Sequence, residues 1–218
     1  LTAVRLTNEI SAVNIHIRVY VKRKGGMDVA IEVDQIVDAK GLSCPMPIVR
    51  TKKAVSALQP GQVVEVQATD KGSLADIQAW AKSSGHHYLG TKQDGEVLKH
   101  YLRKASEAEE KKELTYPHVI QNDELLKKLE TNEKITILDV REPVEYHFGH
   151  IPGSLSIPLG ELENRLDELN RDHEIFVVCR SGSRSDLACK LLEENGFKHV
   201  KNVVQGMIEW NGPLETAE

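Results

Sequence analysis

Two stretches of this chain place a cysteine where it could do chemistry. In the first, the apolar run Ile175-Phe176-Val177-Val178 leads straight into Cys179, so a buried strand is expected to deliver the sulfur to its end. Arg180, Ser181, Gly182, Ser183, Arg184 and Ser185 follow, and then an amphipathic helix with Leu187, Ala188, Leu191 and Leu192 expected on its apolar side. Gly182 can take a positive φ, which would curl the loop and turn backbone N–H groups toward the sulfur. The N-terminal end of the helix adds positive dipole from the same direction, and Arg180 and Arg184 add full charges. A loop of this kind favours an anionic sulfur, and the chemistry it suits is nucleophilic attack by Cys179.

The second stretch runs Asp38-Ala39-Lys40-Gly41-Leu42-Ser43-Cys44-Pro45-Met46-Pro47. Proline suits the first helical position because its missing N–H would be unpaired there in any case. Cys44 is therefore expected at a helix cap, on the positive end of the dipole. Pro45 and Pro47 withhold two N–H groups, so the thiol should be favoured by the dipole yet loosely held. That arrangement suits a sulfur that is handed on.

Both stretches resemble known families. With the Cys179 loop, the segments Leu138-Asp139-Val140-Arg141-Glu142, Gly149-His150-Ile151-Pro152-Gly153-Ser154, Ile157-Pro158-Leu159, Gly196-Phe197 and Val204-Gln205-Gly206-Met207-Ile208-Glu209-Trp210 make residues 117–218 similar to a single rhodanese domain. The resemblance implies a cysteine that accepts a sulfane sulfur as a persulfide and passes it to another nucleophile. The Gly41-Leu42-x-Cys44-Pro45-x-Pro47 core, with Thr69-Asp70-x-Gly72-Ser73 further on, resembles the TusA-like sulfur carriers, whose Cys-Pro-x-Pro motif holds a transferable persulfide. Two positions depart from that family. Lys40 stands where arginine is usual, which keeps the charge but loses the planar fork. Ala81 lies where many relatives have another cysteine, so a disulfide within that unit is not expected.

The elements that must position these residues read as two α/β units. In residues 34–104, Ile36 to Ala39 reads as a strand, Pro45 toward Leu58 as a helix with Ile48, Val55 and Leu58 on one side, and Val63 to Ala68 as a strand. Thr69-Asp70 is expected to cap a second helix with Leu74, Ile77 and Ala81 inward, and His86–Thr91 and Glu96–Arg103 form a hairpin around Gln93-Asp94-Gly95. The order β-α-β-α-β-β predicts a two-layer sandwich. Residues 105–116 are charged and balanced in sign, which predicts a solvated linker; as a flexible coil it would span roughly 20 Å. In residues 117–218, helices are expected after Asn122-Asp123, at Glu142-Pro143, over Gly160 to Leu169 and from Ser183, alternating with strands at Ile135–Val140, Ile175–Val178 and Val200–Val204. Such alternation predicts a mostly parallel central sheet with helices on both faces and a site beyond the strands' carboxyl ends, where Asp139, Arg141 and Cys179 could converge. Residues 1–33 form an extension in which Asn14 to Val21 alternates like a half-buried strand; Lys24-Gly25-Gly26 before Met27 could be encoded by a ribosome-binding tract, so a natural start is expected at Met27.

Composition narrows the function classes. Across 218 residues the hydrophobic fraction is 40%, ample for packed cores, and the net charge of −5 gives no reason to expect nucleic-acid binding. No apolar run approaches the roughly 20 residues that span a bilayer, and a secretory leader is not apparent. Cys44, Cys179 and Cys189 are far apart and odd in number, which predicts neither a disulfide framework nor a zinc site, and a cytoplasmic location. Cys189 reads as a small core residue, His147 and His150 as structural rather than metal ligands, His86 and His87 as surface residues, and Trp80 as packing.

The expected activity is a sulfurtransferase relay. Cys179 attacks thiosulfate or a low-molecular-weight persulfide, residues 180–185 hold the donor, and sulfur moves between Cys179 and Cys44 and on to an acceptor protein or thiol, with Asp139, Arg141, Asp38, Pro45 and Pro47 in support. No cofactor is needed beyond the covalent cysteine persulfide. One rival is an arsenate reductase or phosphatase-like enzyme, but such enzymes place five residues between cysteine and arginine where Cys179 and Arg184 have four. The other is a non-catalytic redox- or persulfide-sensing module, against which stands the presence of both cysteine motifs intact.

Overall fold

The computed structural model describes residues 17–21, 29–106, 109, 114–131 and 134–216. Strand β1 (Ile17–Val21) pairs antiparallel with β2 (Val29–Val33). Of the expected extension strand only Ile17–Val21 falls within the described residues, and Met27 lies outside them.

The first unit has the order predicted: β3 (Gln35–Ala39), α1 (Met46–Ala57), β4 (Val63–Ala68), α2 (Ser73–Ser83), β5 (His87–Asp94) and β6 (Val97–Arg103). Its sheet runs β3-β4-β6-β5, with β3 parallel to β4 and the other pairs antiparallel. Alternation along β4 sends Val64 and Val66 toward Val55, Ile77 and Ala81 of the two helices, closing one core, with Ala68 buried on the same face. Leu74, expected inward, is exposed, and Ser73 takes the buried position of that turn. Asp70 does not cap α2 directly; its carboxylate accepts from the N–H of Gly72, which is the N-cap.

The second unit is a five-stranded, all-parallel sheet ordered β7 (Val119–Ile120), β11 (Val200–Val203), β10 (Glu174–Val178), β8 (Ile135–Asp139) and β9 (Leu155–Ser156). The uninterrupted apolar run of β10 follows from burial on both faces. Ile175 and Val177 pack with Ala188 and Leu192 of α5 (Ser183–Glu194), while Phe176 and Val178 pack with Leu125 of α3 (Asn122–Leu129). A capping box of Gln121 and Glu124, one residue earlier than expected, starts α3, and Glu142 with Glu145 starts α4 (Pro143–Phe148). The helix expected over Gly160 to Leu169 is instead two 3₁₀ turns, Leu162–Asn164 and Leu166–Glu168. Leu187, expected on the apolar side of α5, is exposed.

The two units are packed together. The face of the first sheet turned away from its helices meets α4: Val63, Tyr101 and Val144 are buried in one cluster with Ile31 and Val33 of β2, and Leu89 and Phe148 pack against it. Gly90 makes this approach possible, since a Cβ there would fall 2.5 Å from the Phe148 ring. The connection between the units is pinned at its described residues. Glu109 is ion-paired to Arg103 and Arg184, the N–H groups of Thr115 and Tyr116 donate to Asp186 at 2.9 and 2.8 Å, and Tyr116 is buried. The solvated tether expected from charge balance is therefore not what these residues form, because the opposite charges they need lie on the neighbouring units.

Candidate functional site

Cys179 emerges from β10 into the loop that starts α5. Its side chain is 1% exposed, and its Sγ accepts from the Gly182 N–H at 3.1 Å. Gly182 holds φ +97°, the left-handed conformation that turns this amide back on the sulfur. The Ser185 hydroxyl lies 3.4 Å from Sγ, 3.0 Å from the Gly182 carbonyl and 2.6 Å from Asn202 Oδ1. It has one proton to give, so Asn202 holds it in reach of the sulfur. The Asn202 amide also donates to the Gly182 carbonyl at 3.1 Å, bracing the loop from β11. Beneath, the Met207 and Ile208 N–H groups donate to the Cys179 and Arg180 carbonyls at 2.8 and 2.9 Å. Ser181 is exposed and Ser183 half-buried.

The two loop arginines differ. Arg184 is buried; its Nη1 and Nη2 donate to the two Glu145 oxygens at 2.7 and 2.8 Å, and its Nε lies 3.1 Å from Glu109. Each of its three nitrogens is engaged by a carboxylate, so the geometry makes it a brace for the loop rather than a hand for an anionic donor. Burial alone would push the Glu145 carboxyl up, but Arg184, with Arg103 and Arg141, holds it far below the usual carboxylate range. Arg180 is half-buried and forms no ion pair among the described residues. Asp139 pairs with Arg141, not with Arg184, through Nε at 2.9 Å and Nη2 at 2.6 Å, and Arg141 Nη2 also donates to the Gly149 carbonyl. Arg141 and Arg180, just past the ends of β8 and β10, line the same cleft, whereas Asp139 and Cys179 are not in its lining.

Four residues beside this loop were not singled out by sequence reasoning. Arg103, 4% exposed at the end of β6, reaches Glu109 at 2.8 Å and Glu142 and Glu145 at 3.7 Å. His87 was expected at the surface; instead burial, and next the charge of Arg180, push its imidazole down to about 4. Glu145 and Asn202 complete the set. The signal in the chain was an arginine on the polar stripe of β6, which a solvent-facing sheet shows equally well.

Cys44 is built differently. It is exposed and precedes Pro45, which is the N-cap of α1. Asp38 organises the turn before it, accepting from the Lys40 N–H at 3.0 Å and lying 3.2 Å from Lys40 Nζ, while the Arg50 side chain donates to the Asp38 carbonyl. Pro47 is buried, and its carbonyl accepts from the Thr51 hydroxyl. The expectation of a thiol favoured by the helix dipole is overturned. A hydrogen bond to Asp76, slight desolvation, and the charges of Asp76 and Asp70 push the Cys44 thiol up. Asp70, just before α2, and Asp76, within it, both act against the dipole, and prolines occupy two of the positions whose amides would have faced the thiol.

The two cysteines are not brought together. Arg103 pairs with Val63 at one end of the sheet, and Ala39, five residues before Cys44, pairs with Ala68 at the other. Six residues of β4 separate those ends, about 17 Å. Cys189 is fully buried on the inner side of α5, where burial first and Asp186 second push its thiol up. His150 stacks on Tyr146, and among the described residues no group of three or more His, Cys, Asp or Glu is arranged to hold a metal. No helix among them is long and apolar enough to cross a membrane.

Comparison with known proteins adds to this geometry. Residues 35–104 match the family model described as sulfurtransferase TusA, and residues 121–213 match that of the rhodanese-like domain. YrkF of Bacillus subtilis, named by inference as a sulfur carrier protein, is 51% identical over 83% of this chain and 97% of its own. The sulfur carrier protein TusA of Allochromatium vinosum is 45% identical over 34% of this chain and 97% of its own. A solved rhodanese-like domain protein from Staphylococcus aureus is 33% identical, covers 46% of this chain and 99% of its own, and superposes with a TM-score of 0.44.

Proposed function

The chain belongs to the family of two-domain proteins that join a TusA sulfur carrier to a rhodanese-like sulfurtransferase, and from that premise we propose that it takes sulfane sulfur onto Cys179 and moves it as a persulfide to Cys44. The observation that carries this reading is the buried Cys179 sulfur with the Gly182 amide turned onto it. The Cys179 thiolate attacks the outer sulfur of thiosulfate, or the sulfane sulfur of a low-molecular-weight persulfide. The bond within the donor breaks, sulfite or a thiolate leaves with the electron pair, and Cys179 becomes Cys–S–S⁻. The Gly182 N–H and the Ser185 hydroxyl stabilise that anion. Arg180 draws the anionic donor in, Arg141 is held by Asp139 and the Gly149 carbonyl, and Arg184 holds the loop through Glu145. The exposed Cys44 then receives the sulfur and presents it to an acceptor protein or thiol. All three cysteines are free thiols, which suits a reducing compartment such as the cytoplasm.

Attack on a persulfide needs atoms about 3–3.5 Å apart. In the packed arrangement the two thiols are a sheet length apart, so transfer within one chain requires the domains to separate. Once separated, the tether keeps Cys44 at roughly millimolar effective concentration. Intact mass after brief exposure to thiosulfate tests the whole scheme. Wild type is expected to gain sulfur on both cysteines, at a rate independent of protein concentration. Cys179→Ser is expected to gain none, and Cys44→Ser to gain it on Cys179 alone. Labelling of Cys44 at the wild-type rate in Cys179→Ser would refute the relay, and a rate proportional to protein concentration would make it a transfer between chains.

A further inference from the structure

The face that the carrier sheet turns toward the rhodanese domain holds polar atoms left unsatisfied. On the side of the sheet away from its helices, Glu65 of β4 pairs opposite Tyr101 of β6, and His87 of β5 pairs opposite Arg103. Each of the four buries a polar atom without a hydrogen-bond partner: Oε2 of Glu65, the hydroxyl of Tyr101, Nδ1 of His87 and Nε of Arg103. The other side of the same sheet differs. His100, fully buried there, is bonded at Nε2 by Ser73 at 2.9 Å and at Nδ1 by Tyr88 and Thr91 at 3.0 Å. A polar group that stays buried is as a rule given its partner, because leaving it dry costs free energy that water would return.

Part of what covers these atoms comes from the other domain. Tyr101 lies in a cluster with Val144 of α4, its ring is 5.4 Å from that of Phe148, and Ile31 and Val33 of β2 complete the cover. Arg103 reaches Glu142 and Glu145 at 3.7 Å, beyond hydrogen-bond distance. The apolar part of the contact is small: Val63, Leu89 and Tyr101 of the carrier meet Val144 and Phe148. Interfaces between domains that are neither large nor wholly apolar permit the domains to move. The connection between the units divides in the same way. Lys104 is bonded to Leu58 and Gln62 of the carrier, Thr115 and Tyr116 to Asp186 of the rhodanese domain, and Glu109 to an arginine on each side.

We propose that this face docks reversibly: Glu65, His87, Tyr101 and Arg103 regain water when the carrier domain swings off the rhodanese domain, and that hydration offsets the lost apolar contacts enough to keep an open state populated. The inference rests on the reading of a relay from Cys179 to Cys44 and names the device that lets two thiols a sheet length apart meet in one chain. On opening, Glu109 must release Arg103 or Arg184, while the bonds of Lys104 and of Thr115 and Tyr116 stay intact. Transfer proceeds only from the open fraction, so its rate follows that fraction. Removing the stranded polar atoms stabilises the packed state and slows delivery to Cys44.

Single-turnover transfer in the full-length protein tests this, with Cys179 loaded from thiosulfate and the sulfur on each cysteine followed by rapid quench and peptide mass. The double variant Glu65→Leu/Tyr101→Phe keeps the volume of both side chains and removes their polar atoms, so first-order transfer is expected to be about fivefold slower than in wild type. Gly90→Leu does the opposite: a Cβ there would fall 2.5 Å from the Phe148 ring, and the wedge should speed transfer about fivefold. Small-angle X-ray scattering reads the same equilibrium without sulfur. The radius of gyration is expected to rise in the wedge variant and to be no larger than that of wild type in the double variant. If the double variant unfolds, the wedge variant decides alone. Transfer as fast as wild type in a compact double variant, or wild-type transfer and radius in the wedge variant, would overturn the proposal. Sulfur that stays on Cys179 in every protein, with the radii changing as expected, would instead overturn the relay and leave the reversible docking in place.

Discussion

The two sulfur sites of this chain are opposites in burial and in charge. Cys179 is sunk at the end of a central parallel strand, with an amide and a hydroxyl aimed at its sulfur and arginines nearby. Cys44 stands in solvent at the rim of a two-layer sandwich, with Asp70 and Asp76 beside it. A preorganised cradle lowers the barrier to capturing sulfur but also holds what it captures. An exposed thiol in an acidic setting captures poorly, and its exposure leaves whatever sulfur it holds open to an acceptor. Under the proposed relay, the contrast suits Cys179 to capture and Cys44 to delivery.

The largest expected effect follows from that division. Cys179→Ser should abolish thiosulfate:cyanide sulfur transfer, while Cys44→Ser should retain most of it, because cyanide can reach Cys179 without the carrier. Equal losses in the two variants would erase the distinction between the sites.

The next effect concerns what makes the buried site possible. Glu145 is shared by Arg184, on the loop, and Arg103, on the carrier. Glu145→Gln leaves both guanidinium groups short of charge in a buried setting, which should cost about 3 kcal/mol and lower Tm by roughly 10 °C. The Glu145 carboxyl is held below its ordinary range, so its contribution is present above about pH 4.3 and is lost as pH falls toward the folded value. The gap in Tm between wild type and Glu145→Gln should therefore narrow in acid. A gap that does not change with pH would mean that the carboxylate charge is not what braces Arg184.

A smaller change sharpens the comparison from the exposed side. Asp76→Asn removes the hydrogen bond and the charge that push the Cys44 thiol up. Alkylation of Cys44 at pH 7.5 should become several-fold faster while Cys179 is unaffected. No acceleration would mean that Asp76 does not set the character of the delivery site.

The smallest effect tests the seam between the domains. His87 titrates at about 4 in the packed state, below its ordinary value of about 6.5, because burial and then Arg180 disfavour its charge, with Arg103 adding to this and Glu145 and Glu109 opposing it. The unfolded chain takes up the proton first, so stability falls as pH drops from about 6.5 to about 4. His87→Gln should reduce the loss of Tm between pH 7 and pH 5 by about 6 °C. The same loss in both proteins would place His87 outside the packed seam.

How much of this was legible in the chain depends on the range of the interaction concerned. The β-α-β-α-β-β order, the parallel sheet, the strand that delivers Cys179 and the positive-φ glycine after it all follow from apolar periodicity and turn chemistry within about ten residues. Pro45 and Pro47 set the start of α1 in the same local way. The expectations that failed locally are ones where neighbours compete. Leu74 and Leu187 lie at the margins of apolar stripes, and the 3₁₀ turns after Gly160 pack Leu162 beneath the sheet without the length of a helix.

What tertiary structure decided is the meaning of the polar residues. Glu65, Tyr101 and Arg103 alternate with apolar neighbours and read as the wet face of a half-buried sheet; β2 and the rhodanese domain cover that face, and all three are buried. Arg184 reads as a donor-binding charge until Glu145, thirty-nine residues away, and Glu109 engage it. Cys44 reads as dipole-activated until α2 sets Asp76 beside it. The charge-balanced segment reads as a tether until Arg103 and Arg184 claim Glu109. The sequence determined the elements, because hydrophobic burial follows short-range periodicity. Only the tertiary structure decided which charges meet, because an ion pair depends on a few ångströms between residues that the chain keeps far apart.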